Sequence, residues 1–104
     1  MARFDVYPNP FAAERKETPF LLDVQNDHLG PLVTRVMIPL RASKGFGIPA
    51  RRLNPEFEVK GMAVVLDTAS LAPVPTAWLK APVMQADGWR GDVTDALDTL
   101  FGAY

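Results

Sequence analysis

Side chains that could act as nucleophiles or metal ligands are scarce in this sequence. Its 104 residues include no cysteine, and His28 is the single histidine. A zinc site would have to consist mostly of carboxylates, which is unusual for that metal. The only serines are Ser43 and Ser70, which is little material for a Ser-His-Asp triad. We therefore expect neither nucleophilic catalysis nor an ordinary zinc site.

The carboxylates that stand close together fall into two groups. Glu56 and Glu58 share one face of a predicted strand. Without a histidine or a third carboxylate nearby, they indicate an exposed strand edge and no metal site. Asp92, Asp95 and Asp98 lie on one face of a predicted C-terminal helix, which is typical of a solvated surface. Of these three, Asp98 is the candidate for contact with a partner.

Basic residues are concentrated in the first half of the chain. Residues 1–52 carry eight Lys/Arg and five Asp/Glu, a net +3, whereas residues 53–104 carry three and seven, a net −4. This basic half is too dilute for a nucleic-acid interface, so no direct nucleic-acid binding is expected. Four basic side chains surround the irregular stretch 41–55. They either keep this loop soluble or attract an acidic partner segment: Arg41, Lys44, Arg51 and Arg52.

The elements that must position these residues are mostly strands. Ten prolines, spread from Pro8 to Pro82, argue against long helices over that span. Apolar alternation and turn residues predict strands at 3–7, 20–25, 33–40, 57–59, 62–68 and 76–83. The strands at 57–59 and 62–68 form a hairpin through Lys60-Gly61, and turns are expected at 26–31 and 73–75. No apolar run reaches the roughly 20 residues of a membrane span, and no signal peptide is recognisable, so we expect a cytoplasmic protein.

A helix is predicted only near the carboxyl end. Its apolar stripe consists of Trp89, Val93, Ala96, Leu97, Leu100 and Phe101. Asp87 is the expected N-cap, and Gly102 the expected stop. Trp89 and Trp78 are interpreted as packing residues of the core or of an interface. The expected result is one domain, residues 1–104, with a mainly β body and one C-terminal helix.

Several ordered stretches resemble the CcdB family of bacterial toxins. They are FDVY at 4–7, LLDVQNDHLG at 21–30, TRVMIPL at 34–40, LNPEFEVKGMAVVLDTASLAPVP at 53–75 and DVTDALDTLFGAY at 92–104. The connections around 8–18 and 41–52 are least alike. The resemblance implies an SH3-like, partly barrelled antiparallel sheet with one C-terminal helix, in a symmetric homodimer. It also implies a plasmid-maintenance toxin that binds the A subunit of DNA gyrase, traps the cleaved DNA complex, and is neutralised by a CcdA-type antitoxin. Such a toxin is an inhibitor and not an enzyme, and it holds no metal and no cofactor.

The resemblance also suggests site residues. In relatives the last three positions read Trp-Gly-Ile, and the tryptophan stacks on an arginine of gyrase; here they are Gly102, Ala103 and Tyr104. The expected gyrase contacts are these three residues together with Phe101, Asp98, His28 and Leu29. The expected dimer interface is Leu97, Leu100 and Phe101, because the helix has a wide apolar arc. The basic loop residues Arg51 and Arg52 are the expected antitoxin contacts.

Two other functions remain open. A MazF-type endoribonuclease shares the barrel and the dimer, although the arginine and acidic signatures of that family are not found at matching positions here. The altered terminus is also compatible with a CcdB relative that binds antitoxin but no longer poisons gyrase.

Overall fold

The computed structural model describes residues 1–29 and 32–102. Within these ranges the strands are β1 (Asp5–Pro8), β2 (Phe20–Asp23), β3 (Thr34–Ala42), β4 (Glu56–Val59), β5 (Met62–Leu66), β6 (Ala72–Pro75) and β7 (Met84–Gln85), followed by helix α1 (Arg90–Phe101). They form one curled antiparallel sheet in the order β4-β5-β3-β2-β1-β7, with β6 also paired to β3. This half-barrel with a C-terminal helix confirms the predicted mainly β fold.

The long strand β3 organises the sheet. One edge of β3 pairs with β2, where Ile38 lies opposite Leu22. The other edge pairs first with β6, over residues 34–37, and then with β5, over residues 40–42. Because two strands share this edge in succession, the sheet has to curl around β3.

The main core lies between one face of the sheet and α1. It is a continuous apolar cluster that includes Phe4, Val6, Leu22, Ile38, Leu40, Val64 and Leu66. Val93 and Ala96 of α1 are fully buried against it. Trp89 stacks on Phe57 with ring centroids 4.0 Å apart, which closes one end of the core. The predicted apolar stripe of the helix is therefore confirmed at its buried positions.

The opposite face of the sheet is also covered. Tyr7, Leu21 and Met37 are buried there, and Val74 and Leu79 pack on them. The Tyr7 hydroxyl donates a 3.4 Å hydrogen bond to Asp5. Burial, reinforced by the negative charge of Asp5, raises the pKa of Tyr7 to about 12.

The predicted hairpin between β4 and β5 is confirmed. Val59 lies opposite Met62, and the two turn residues Lys60 and Gly61 have φ values of 51° and 78°. Two successive positive φ angles match the twist of the strands they connect. Gly61 adopts this conformation freely, whereas Lys60 does so at a cost of about 1 kcal/mol.

Two neighbouring predictions were wrong. The expected turn at 73–75 is part of strand β6, and the expected strand at 76–83 is absent from this described stretch. The chain instead forms a 3₁₀ turn at Thr76–Trp78, and the last strand is β7. Pro73 and Pro75 are tolerated in β6 because this strand pairs with β3 alone, so its other edge needs no amide donors.

The two ends of the helix differ in how well they were predicted. Asp87 is not the N-cap: it opens a 3₁₀ turn, Asp87–Trp89, and α1 begins at Arg90 without a side-chain cap. The Asp87 carboxylate instead binds the Arg90 guanidinium at 2.6 Å. Gly102 ends the helix as predicted, with φ 78° and its amide donating to the Asp98 carbonyl at 2.9 Å.

No helix in the described ranges is long and apolar enough to cross a bilayer.

Candidate interaction surfaces

The turn that carries His28 is fixed by hydrogen bonds on both sides. It is a 3₁₀ turn, Asp27–Leu29, that follows β2. The His28 amide donates to the Asn26 side chain at 2.9 Å. The Asp27 carboxylate accepts from the Arg3 amide, at 3.0 and 3.3 Å, and from the Arg35 guanidinium at 3.2 Å. This exposed turn is therefore tied both to the first residues of the chain and to β3.

Beneath the turn lies a buried ion pair. Arg35 binds Asp23 through Nε at 2.8 Å and through Nη2 at 3.0 Å, and Nη2 also reaches the Gln25 carbonyl at 3.3 Å. The Asp23 side chain is fully buried. Burial raises the pKa of Asp23, and hydrogen bonds from Arg35 and the Gln25 amide oppose that rise. The same contacts hold the pKa of Arg35 above its ordinary value, since the carboxylate stabilises the guanidinium.

A polar cleft of about 390 Å³ opens next to His28. Its walls are Ala2, Arg3, Asn26, Asp27, His28, Gln85, Asp87 and Arg90. The guanidinium carbons of Arg3 and Arg90 each lie 4.8 Å from the centre of the buried Phe4 ring. Sequence patterns did not indicate this cleft, because Arg3 and Arg90 come together only when β1 pairs with β7 ahead of α1.

Three other predicted target contacts, Asp98, Phe101 and Gly102, lie at the far end of α1. Phe101 is 71% exposed, Asp98 is half-buried and Gly102 is exposed. Ala103 and Tyr104, and the side chain of Leu29, lie outside the described residues. His28 shares its cleft with the first residue of α1, whereas Phe101 is the last, about 16 Å further along the axis at 1.5 Å per residue. A single chain therefore presents His28 and Phe101 at opposite ends of the helix.

The predicted dimer residues have unequal exposure. Leu97 is partly buried and packs against the core of its own chain. Leu100 is also partly buried, so most of the free apolar surface at this end of the helix belongs to Phe101. Self-association through these three residues stays a prediction, with Phe101 as its most accessible member.

A basic groove of about 610 Å³ lies between the segment before β2 and the loop after β3. It is lined by Lys16, Glu17, Arg41, Ala42, Lys44, Gly45 and Phe46. Arg41 is held by Asp67 at 2.6 Å and by Thr18 at 2.8 Å. Lys16 and Lys44 are exposed and form no ion pair with another described residue. The groove therefore carries positive charge that its own walls do not neutralise.

The two expected antitoxin contacts, Arg51 and Arg52, are exposed in the same loop region but do not line the groove. Their role stays a prediction. Lys16 was not predicted as part of this surface. It lines the groove because the Ala42 amide donates a 2.9 Å hydrogen bond to the Glu17 carbonyl, which joins the segment before β2 to the end of β3. No local pattern at Lys16 indicates that long-range contact.

Glu56 and Glu58 are exposed on the outer strand β4, as expected. Among the described residues, no three His, Asp or Glu side chains are grouped to hold a metal ion. The Ser70 hydroxyl donates to Asp67 at 2.8 Å, and the Ser43 hydroxyl is buried.

Trp78 is 52% exposed and contacts Phe11 edge-on at 5.3 Å, so its ring remains available to a partner.

Comparison with known proteins adds a family match. A family model described as CcdB protein matches residues 3–102, nearly the whole chain. No curated protein sequence matches the chain significantly. The family match covers the β sheet, the His28 turn, the basic groove and all of α1.

Proposed function

The chain belongs to the CcdB family of toxin–antitoxin toxins, and we propose that it acts by binding the A subunit of DNA gyrase and trapping the cleaved DNA complex. The observation that carries this proposal is the family match over residues 3–102. The curled sheet and C-terminal helix are the fold that the resemblance implies. A toxin with this target acts in the cytoplasm, in a system of the plasmid-maintenance type.

The proposed mode of action is inhibition, with no catalysis by the toxin. General acid–base cleavage of RNA would need titratable side chains within reach of a phosphate. The best-formed arginine–carboxylate pair, Arg35 with Asp23, is sealed in the protein, where Arg35 is only 8% exposed. A buried pair of this kind supports the fold and does not meet a macromolecular substrate. The family match over residues 3–102 favours a gyrase inhibitor over a MazF-type ribonuclease.

The proposed gyrase contacts are the end of α1 and the His28 turn. Phe101 offers an exposed aromatic ring, and Gly102 ends the helix in a left-handed backbone conformation. In a two-fold homodimer joined near Leu97, Leu100 and Phe101, the two helix ends would project together. A few central side chains commonly dominate the energy of such an interface. Gly102, Ala103 and Tyr104, with Asp98, His28 and Leu29, are the proposed members.

The proposed antitoxin site is the basic groove together with the loop residues Arg51 and Arg52. Lys16 and Lys44 line a groove that also contains the apolar ring of Phe46. A CcdA-type antitoxin would bind through a disordered acidic segment, whose carboxylates could pair with these ammonium groups while apolar side chains enter the groove. Arg51 and Arg52, exposed further along the same loop, would attract the same segment.

A cleavage assay with two substrates tests the function. Purified protein is added to gyrase with supercoiled plasmid and, in parallel, to labelled RNA. We expect linear DNA after detergent treatment and intact RNA, and addition of the antitoxin peptide should suppress the linear DNA. RNA fragments would indicate the ribonuclease instead. Antitoxin binding with neither product would indicate a relative that has lost the toxic contact.

Sedimentation tests the proposed homodimer. At micromolar concentration we expect the wild-type protein to sediment as a dimer, and Phe101→Ser to shift it toward the monomer. Phe11→Ser is the matched control, because Phe11 is also an exposed phenylalanine, 44% accessible, and lies outside α1. A wild-type protein of clean monomer mass would rule out the dimer.

A further inference from the structure

Asp27 is more firmly held than its exposure suggests. Half of its side chain is open to solvent, yet its carboxylate accepts hydrogen bonds from two separate parts of the chain. One donor is the Arg3 amide, just before β1. The other is the guanidinium of Arg35, which extends from β3. An exposed carboxylate is usually mobile, so this double attachment restricts the turn that it belongs to.

The Arg35 end of this attachment is rigid. Two of its nitrogens are bound to the fully buried Asp23, and Nη2 also reaches the Gln25 carbonyl. The guanidinium therefore cannot follow Asp27 if the turn moves. The amide of the next residue, His28, donates to the Asn26 side chain, and His28 lines the polar cleft.

We propose that Asp27 is a positioning residue for target binding, which holds the His28 turn in the conformation that meets gyrase. This inference rests on the proposed function, in which His28 contacts the target. A turn that is already ordered loses less conformational entropy when it binds, so the free protein is prepared for the complex. Asp27 itself acts through His28 and needs no contact with the target.

The charges around Asp27 fit this role. Arg35 lies on one side, and the Arg3 amide donates from the other; His28 is adjacent in sequence, and the Asp23 carboxylate lies behind Arg35. The hydrogen bond from Arg35 lowers the pKa of Asp27. The carboxylate therefore remains ionised, and the attachment persists, throughout the neutral pH range.

Binding to a gyrase A fragment by calorimetry provides the first test. We expect Asp27→Ala and His28→Ala each to weaken binding about tenfold, and the double variant to lose about tenfold in total, because both changes affect one turn. A loss near a hundredfold in the double variant would mean independent effects and would overturn the proposal. Asp67→Ala is the matched control: it also removes an Arg–Asp ion pair, at 2.6 Å, but lies by the basic groove, and it should leave gyrase binding unchanged.

Amide hydrogen exchange provides the second test and needs no gyrase. In Asp27→Ala the His28 amide should exchange at least about tenfold faster, while the Ile38 amide in β3 keeps its wild-type rate. Asp27→Asn, which keeps an acceptor oxygen and the size of the side chain, should restore most of the His28 protection. Unchanged His28 protection in Asp27→Ala, or loss of Ile38 protection in both variants, would overturn the proposal. A wild-type protein that does not bind gyrase would instead count against the proposed function.

Discussion

Arg35 and Asp23 lie diagonally across the β2–β3 pair and are joined by two hydrogen bonds of 2.8 and 3.0 Å. The pair is buried on the face of the sheet that α1 does not cover. Nη2 of the same guanidinium also donates to the Gln25 carbonyl and to the Asp27 carboxylate. One side chain thus links a strand, the end of its neighbour and the turn proposed to meet the target.

Breaking this pair on one side should destabilise the protein strongly. Asp23→Ala removes the buried carboxylate and leaves Arg35 only the half-exposed Asp27 as an ionic partner, so we expect a loss of about 3 kcal/mol in the free energy of unfolding. Urea denaturation measures it. Asp67→Ala removes a more exposed pair with Arg41 and should cost less than about 1 kcal/mol.

Replacing both partners tests whether the cost of Asp23→Ala comes from the unpaired charge. Asp23→Leu combined with Arg35→Met should recover most of the stability lost in Asp23→Ala, since no charge remains buried. Equal losses of unfolding free energy in Asp23→Ala and Asp67→Ala would show that the buried pair stabilises the protein no more than the exposed one.

Alkaline pH should weaken the fold through Tyr7. Its pKa is about 12 in the folded chain and 10.0 in its ordinary state. A raised pKa favours folding while the hydroxyl is protonated, so this contribution is complete below about pH 10 and disappears as the pH rises to about 12. The expected loss is about 3 kcal/mol, since each unit of pKa difference corresponds to about 1.4 kcal/mol.

Tyr7→Phe isolates that contribution, because it removes the titrating hydroxyl and keeps the buried ring. The free energies of unfolding of wild type and Tyr7→Phe are compared by urea denaturation at several pH values between 9 and 12. We expect the difference between them to change over this window. Parallel curves for the two proteins would exclude Tyr7 as the cause.

Removal of the last three residues should separate toxicity from folding. The last buried helix residue, Ala96, lies more than a turn before Gly102. We therefore expect deletion of Gly102, Ala103 and Tyr104 to leave the core contacts of the helix in place. We expect the cleaved-complex yield to fall to background, with thermal stability and antitoxin affinity nearly unchanged. A truncated protein that poisons gyrase at full strength would contradict this prediction and would leave the His28 turn as the candidate target contact.

An aromatic ring at position 102 should strengthen poisoning. Gly102→Trp offers the target a ring for cation–π stacking, a gain of about 1–2 kcal/mol when desolvated. The side chain has space, since a Cβ at this position meets no atom within 4 Å. The positive φ of 78° makes the substitution cost about 1–2 kcal/mol of stability. Gly102→Ala carries the same backbone strain without the ring, so only Gly102→Trp should raise the cleaved-complex yield.

Antitoxin binding should depend on the lysines of the groove and on salt. Lys16→Ala with Lys44→Ala removes two cations that line it, and we expect weaker binding together with a smaller dependence of affinity on salt concentration. Arg51→Ala with Arg52→Ala should have the same kind of effect if the exposed loop takes part. Titration of the antitoxin peptide at several salt concentrations measures both; unchanged affinity and salt slope in a variant would remove those residues from the site.

Local patterns were enough to predict much of the fold. The Lys60-Gly61 hairpin, the buried helix positions Val93 and Ala96 and the helix stop at Gly102 all depend on residues near one another in sequence. Turn geometry and helical periodicity act over a few residues, so the chain itself specifies them. The CcdB resemblance likewise came from the sequence, and the family match over 3–102 confirms it.

Other features of the fold and of the proposed sites depend on contacts between segments that are distant in sequence, and only the tertiary structure reveals them. The segment Pro73–Pro75 has the composition of a turn, and it becomes a strand because it pairs with β3. Lys16 joins the groove only through the contact between Ala42 and Glu17. Arg35 reaches Asp23 and Asp27 because β3 returns alongside β2 in one register. Strand register follows from how the whole core packs, so no local pattern could predict which charges would meet.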